Sequence, residues 1–169
     1  MTPLPAALGG VELVAWRLDR EKYRTTWNSG EGAYQSGGRW NSRGVRAVYC
    51  SLDPATAILE VAVHKTFKTL DVVPHVLTSV IIDAVADVHV VQPDDVANPD
   101  WLRSGIPSAG QQEFGDALLM RHRFVAIPSA VSRMSWNLVF TAATAGDSYR
   151  VRSQARFSLD TRLNPPGAR

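Results

Sequence analysis

Cysteine is nearly absent from this chain. Cys50 is the only one, so no internal disulfide and no multi-cysteine metal site can form, which fits a reducing compartment. Four histidines, His64, His75, His89 and His122, lack H-x-x-x-H or H-x-E spacing, and no metal is expected. No stretch approaches the roughly 18 uninterrupted apolar residues of a membrane-crossing helix, and no early apolar run carries the basic flank of a signal peptide. The expectation is a cytoplasmic protein without membrane contact. Also missing are G-x-x-x-x-G-K-[ST], G-x-G-x-x-G and G-x-S-x-G, which removes the P-loop, the Rossmann turn and the hydrolase elbow from consideration.

What remains is 169 residues with 45% apolar and 20% charged side chains, enough for one globular domain with a real core. The net charge of +2 is a weak basis for nucleic-acid binding. The basic excess is local: Arg150, Arg152, Arg156, Arg162 and Arg169 face only Asp160 in the last twenty residues, which suits either a solvated end or an acidic partner surface. Residues 1–10 read as a loose N-terminal arm, 11–160 as the domain and 161–169 as a flexible tail.

Along the domain, Val11 to Leu18 reads as a first strand, and Asp19 to Asn41 as a long polar, glycine-bearing loop with at most a helical turn. Val45 to Ser51 follows as a strand. Asp53-Pro54 starts a helix, because a carboxylate cap precedes a proline at the first helical position; it runs to about Lys65. His75 to Ile82 and Val85 to Val91 read as two strands forming a hairpin or neighbouring pair. Pro93 to Ser108 reads as loop and Ser108 to about His122 as an amphipathic helix. Short strands are expected at Phe124 to Ile127 and Asn137 to Ala142. A last one alternates Tyr149, Val151, Ser153, Ala155 and Phe157 with polar residues, its arginines on the wet face. The class is α+β, with mixed or antiparallel sheets and a few helices.

Some residues are hard to explain as packing. Glu60 lies in Ala57-Ile58-Leu59-Glu60-Val61-Ala62-Val63, an apolar helix expected to be largely buried. A carboxylate there either occupies a wet stripe or needs a partner, since burying an unpaired charge is costly. Arg17 follows Val14-Ala15-Trp16 on a core strand, with Asp19 or Glu21 as the ordinary partner. Arg39 and Arg43 sit among the glycines of Gly37-Gly38-Arg39-Trp40-Asn41-Ser42-Arg43-Gly44, a loop able to hold a phosphate-bearing ligand or to be plain surface. Trp40 either plugs the core beneath that loop or faces its ligand. Tyr49 and Cys50 point to opposite faces of a strand. Cys50 reads as an inert core thiol, Tyr49 as core packing or a cleft residue, and Ser129 as a turn or ligand hydroxyl.

Taken together, Trp16-Arg17-Leu18, Gly37-Gly38-Arg39-Trp40-Asn41, Val48-Tyr49-Cys50-Ser51, Leu59-Glu60-Val61-Ala62-Val63-His64 and Ile127-Pro128-Ser129-Ala130-Val131 resemble the RES-domain family across roughly residues 11 to 140. The family's arginine, glutamate and serine correspond to Arg17, Glu60 and Ser129. Many members follow an asparagine, here Asn137, with Asn-Pro-x-His-Pro; this chain has Thr141-Ala142-Ala143-Thr144-Ala145-Gly146 instead. The resemblance implies a fold similar to diphtheria-toxin-like ADP-ribosyltransferases. It also implies the toxin half of a type II toxin–antitoxin pair that cleaves NAD+ between nicotinamide and ribose, with a protein, water or phosphate as acceptor. A helix-turn-helix, Xre-like antitoxin would cover the site. In that reading Glu60, Arg17 and Tyr49 are catalytic, and Arg17, Arg39, Tyr49, Ser129 and Asn137 bind NAD+, with Arg43 or Arg46 as further phosphate contacts. The competing readings are a RES-like domain without catalysis and a basic nucleic-acid module in which Arg17, the loop arginines, Trp40 and Tyr49 form the surface.

Overall fold

A computed structural model describes residues 12–165 except 104 and 106. The expected arm at 1–10 and the end of the tail lie outside the described residues. Strands β1 (Leu13–Arg20), β2 (Val48–Ser51), β3 (His75–Ile82), β4 (Val88–Val90), β5 (Phe124–Pro128), β6 (Trp136–Phe140) and β7 (Tyr149–Phe157) form one sheet in the order β4-β5-β6-β2-β1-β3-β7. All pairings are antiparallel except β4 with β5. Helices α1 (Glu31–Ser36), α2 (Pro54–Val72), α3 (Ala109–Arg121) and α4 (Ala142–Ala145), with four short 3-10 turns, complete the described elements. The α+β expectation holds.

Strand alternation divides the core between two faces. Val48, Cys50, Phe124, Ala126, Leu138 and Phe140 pack on one face, while Val125, Ile127 and Val139 pack on the other with Trp40, Trp101 and Leu119. The GGRWN loop and α3 cover the second face. Trp40 is buried between Trp101 and Phe114, its ring centroid 5.6 Å and 6.4 Å from theirs, so its indole plugs the core. Cys50 is buried on the first face, and burial pushes its thiol up to about 12. At about pH 8 the native thiol should therefore react with a disulfide reagent on the order of 10³-fold more slowly than the unfolded chain, because only the thiolate attacks. Rapid labelling of the native protein would show that this face opens.

Helix α2 begins as expected: Asp53 caps it by accepting from the Thr56 N–H at 2.7 Å, and Pro54 occupies the first turn. It passes the predicted end at Lys65 through a break at Thr66, whose φ of 66° is non-helical, and continues to Val72. The helix is less buried than its composition suggests. Ala57, Ala62 and Leu70 are buried, with Ala62 and Leu70 packed against Leu18, whereas Val63 is 55% exposed.

Two strand expectations are corrected. Val85 to Val91 does not pair with β3. Its first residues form a 3-10 turn, and β4 joins β5 at the far edge of the sheet, with four strands between it and β3. Along β7 the arginines are exposed as expected, but Val151, Ser153 and Ala155 are exposed too. A bulge opposite Ser79 and Val80 breaks the register, and this edge strand has little covering its middle.

Candidate active site

The polar residues of the second face converge where α2 crosses the ends of β2 and β6. Glu60 on α2 is half-buried, and its Oε1 accepts from Ser129 Oγ at 2.9 Å and from Asn137 Nδ2 at 2.6 Å. Ser129 follows β5 and is fully buried. Its hydroxyl oxygen accepts the backbone N–H groups of Val131 (3.2 Å) and Ser132 (3.0 Å), so its proton is directed to Glu60. Asn137 pairs with Ser51 across the β2–β6 ladder, and Ser51 Oγ donates to Asn137 Oδ1 at 2.8 Å. Both bonds to Glu60 fall on Oε1, and Oε2 accepts no side-chain hydrogen bond among the described residues.

The glycine-rich loop lies on the same face and is a built structure. Asn41 is fully buried and donates to the carbonyls of Ala33, Ser42 and Val45 at 3.0–3.1 Å, while its Oδ1 accepts from the Tyr49 hydroxyl at 2.7 Å. The same hydroxyl accepts the Trp40 backbone N–H at 3.0 Å. Burial raises the Tyr49 phenol well above the usual tyrosine range, and the Trp40 N–H offsets only part of this. The phenol therefore stays protonated and keeps donating. Gly38 is required here: a Cβ would lie 2.5 Å from Asn41 Oδ1 and 2.6 Å from the Tyr49 hydroxyl. Helix α3 ties the loop down, with Gln112 Nε2 donating to the Gly38 carbonyl at 2.9 Å and Asp116 accepting the Ser42 N–H at 3.0 Å.

The arginines are distributed more widely than their sequence grouping suggests. Arg17 forms a fork with Asp19 (2.7 and 2.9 Å), and its NH1 donates to the Tyr49 carbonyl at 2.8 Å. Alternation along β1 puts Arg17 with Leu13 and Ala15 on the Cys50 side, and no direct hydrogen bond joins it to Glu60 among the described residues. Arg39 NH1 donates to the Trp101 and Arg103 carbonyls at 2.7 and 3.2 Å. Arg43 donates to the Gln35 carbonyl, and Arg46 pairs with Glu31 over the Tyr34 ring. The structure thus brings Glu60, Ser129 and Asn137 into contact, with Tyr49 supporting the adjoining loop and Arg17 joined to the Tyr49 backbone. Sequence reasoning did not single out Asn41 or Ser51. For each the signal was its place inside a block that carries the family resemblance, GGRWN for Asn41 and VYCS for Ser51.

The RES-domain family model matches residues 14–160, which includes every one of these side chains. The chain belongs to the RES-domain family. Among curated relatives, this RES domain is 28% identical over 155 residues to "Toxin Res" of Photorhabdus laumondii, covering 89% of this chain and 97% of the relative. It is 31% identical over 136 residues to "Prs ADP-ribosylating toxin" of Sphingobium sp., covering 76% and 81%. Among solved structures, a chain of the M. tuberculosis MbcT–MbcA toxin–antitoxin complex superposes with a TM-score of 0.62 at 21% identity, over 87% of this chain and 85% of that one. The shared architecture is consistent with the ADP-ribosyltransferase-like fold that the family resemblance implies. No group of three or more histidine, cysteine, aspartate or glutamate side chains suited to a metal occurs among the described residues, and no described helix is long and apolar enough to cross a membrane.

Proposed function

We propose that this RES domain is the toxin of a toxin–antitoxin pair and uses NAD+ as a substrate, cleaving the nicotinamide–ribose bond at Glu60. The observation that carries the reading is the anchoring of Glu60 through one oxygen by Ser129 and Asn137, which leaves the other carboxylate oxygen for a sugar. Loss of nicotinamide develops oxocarbenium character on the ribose, and a fixed carboxylate stabilises that charge as in glycoside cleavage. Two donors already in place mean the carboxylate need not reorganise as the charge forms. Arg17, on the opposite face and forked to Asp19, contributes by holding the Tyr49 carbonyl and so the strand that carries Tyr49. Arg39 is the loop cation for the pyrophosphate, and the face of the Tyr49 ring is the surface for nicotinamide; the Tyr49 hydroxyl serves the loop.

A protein acceptor is the favoured fate of ADP-ribose, because the relative at 31% identity is named an ADP-ribosylating toxin. The expected partner is a helix-turn-helix antitoxin that covers the Glu60 site, in keeping with the toxin–antitoxin complex of the structural neighbour, and the expected location is the cytoplasm. Incubation with NAD+ alone, with added phosphate and with cell lysate, following nicotinamide release and label on protein, separates the acceptors. Label on a discrete lysate protein supports the reading. Absence of nicotinamide release by folded protein in all three mixtures overturns the enzymatic assignment.

A further inference from the structure

We propose that Ser51 is a positioning residue for Glu60, acting by fixing which end of the Asn137 amide faces the carboxylate. This rests on the reading of Glu60 as the catalytic carboxylate. An asparagine amide has a donor end and an acceptor end of nearly the same shape, and rotation by half a turn exchanges them. With Nδ2 toward Glu60 the contact is an N–H donor on a carboxylate at 2.6 Å. Flipped, the same contact would oppose two oxygens.

The two anchors of Glu60 are oriented by different means. Ser129 receives two backbone N–H groups, so the chain itself directs its proton. Asn137 is oriented by a side chain, because the Ser51 hydroxyl donates to its Oδ1 at 2.8 Å. Ser51 is 2% and Asn137 7% exposed, and the two are paired directly across β2 and β6, so little room exists for water to replace that hydroxyl. Ser51, Asn137 and Glu60 form a one-way relay in which each hydrogen bond determines the direction of the next. Because Glu60 is half-exposed, these two donors are what hold Oε1 in place and keep Oε2 turned toward a substrate.

Ser51→Ala removes the director and leaves the fold's apolar contacts intact. The expected result is a loss of kcat of roughly tenfold with KM for NAD+ little changed, since orientation of the carboxylate is affected and binding is not. The double variant Ser51→Ala/Asn137→Ala should lose no more than Asn137→Ala alone, because Ser51 acts only through Asn137. Losses that multiply in the double variant, or full kcat in Ser51→Ala, overturn the proposal. A substrate-free arm follows the Asn137 side-chain amide by 1H–15N NMR. Its protons should exchange slowly in the wild type and faster in Ser51→Ala, and unchanged exchange contradicts the relay. If the wild type leaves NAD+ intact, the functional reading fails while this arm still decides the role of Ser51. Should Ser51→Ala lose stability, Ser51→Cys, similar in volume and a weak donor, reads the same quantities.

Discussion

Replacing Glu60 by glutamine is expected to reduce NAD+ turnover on the order of 10³-fold, the scale of losing a preorganised electrostatic contact in a transition state. Glutamine keeps the length of the side chain and one carbonyl oxygen, which can still accept from Ser129 and Asn137. It removes the charge that faces the developing oxocarbenium. Stability should move by no more than about 1 kcal/mol, since a half-buried side chain keeps its shape and both of its bonds. Growth of a host expressing the variant without an antitoxin should recover. Turnover within about tenfold of wild type, in protein with an unchanged melting curve, would remove Glu60 from the chemistry.

The largest effect on stability is expected at a residue far from Glu60 in sequence. A Cβ at Gly115 would lie 2.1 Å from the Trp40 carbonyl oxygen and 2.6 Å from its carbonyl carbon, distances no side-chain adjustment can relieve. Gly115 is on α3, the helix that also holds the GGRWN loop through Gln112 and Asp116. Gly115→Ala must therefore push α3 and the loop apart, and Trp40 must leave its place between Trp101 and Phe114. Overpacking of this kind costs about 3 kcal/mol. In a domain of this size that lowers the melting temperature by roughly 6–12 °C. Calorimetry decides this, and a shift below about 2 °C would mean that the loop and helix are not in close contact. Activity should fall as well, because Arg39 and Tyr49 are positioned by the same packing.

Much of the fold was legible where local chemistry decides structure. The run HVLTSVII became β3 with its predicted ends, Asp53-Pro54 started α2, and Ser108 capped α3 by accepting from Gln111. What failed was partner choice. β3 and the Val85 to Val91 segment are neighbours in sequence, yet β4 joins β5 at the other edge, because alternation specifies faces without specifying which strand lies alongside. β7 was misread for a related reason: a bulge shifts the register of its face, and apolar periodicity carries no mark of a bulge.

The candidate site shows the same division. Glu60 was conspicuous as a lone carboxylate in an apolar helix, Ser129 was read as a turn or ligand hydroxyl, and Asn137 was named through the family pattern. Their convergence across 69 and 77 residues of chain is a property of the fold alone. The glycine-bearing loop was read as able to hold a phosphate-bearing ligand or as plain surface; within it, Gly38 makes room for Asn41 and Tyr49. Arg39 was expected to face phosphate, and one of its nitrogens is already bonded to the carbonyls of Trp101 and Arg103. Loop residues have internal hydrogen bonds to satisfy before they can serve a ligand, and sequence does not separate the two demands.

The most direct test of the account is a titration of NAD+ into 15N-labelled Glu60→Gln protein, which keeps the substrate intact while its complex is observed. Saturable shifts of the Asn137 side-chain amide and of the Tyr49 signals are predicted, placing the nucleotide against the Glu60 cluster. Shifts confined to other parts of the molecule, or none at NAD+ concentrations that saturate the wild type, would contradict it.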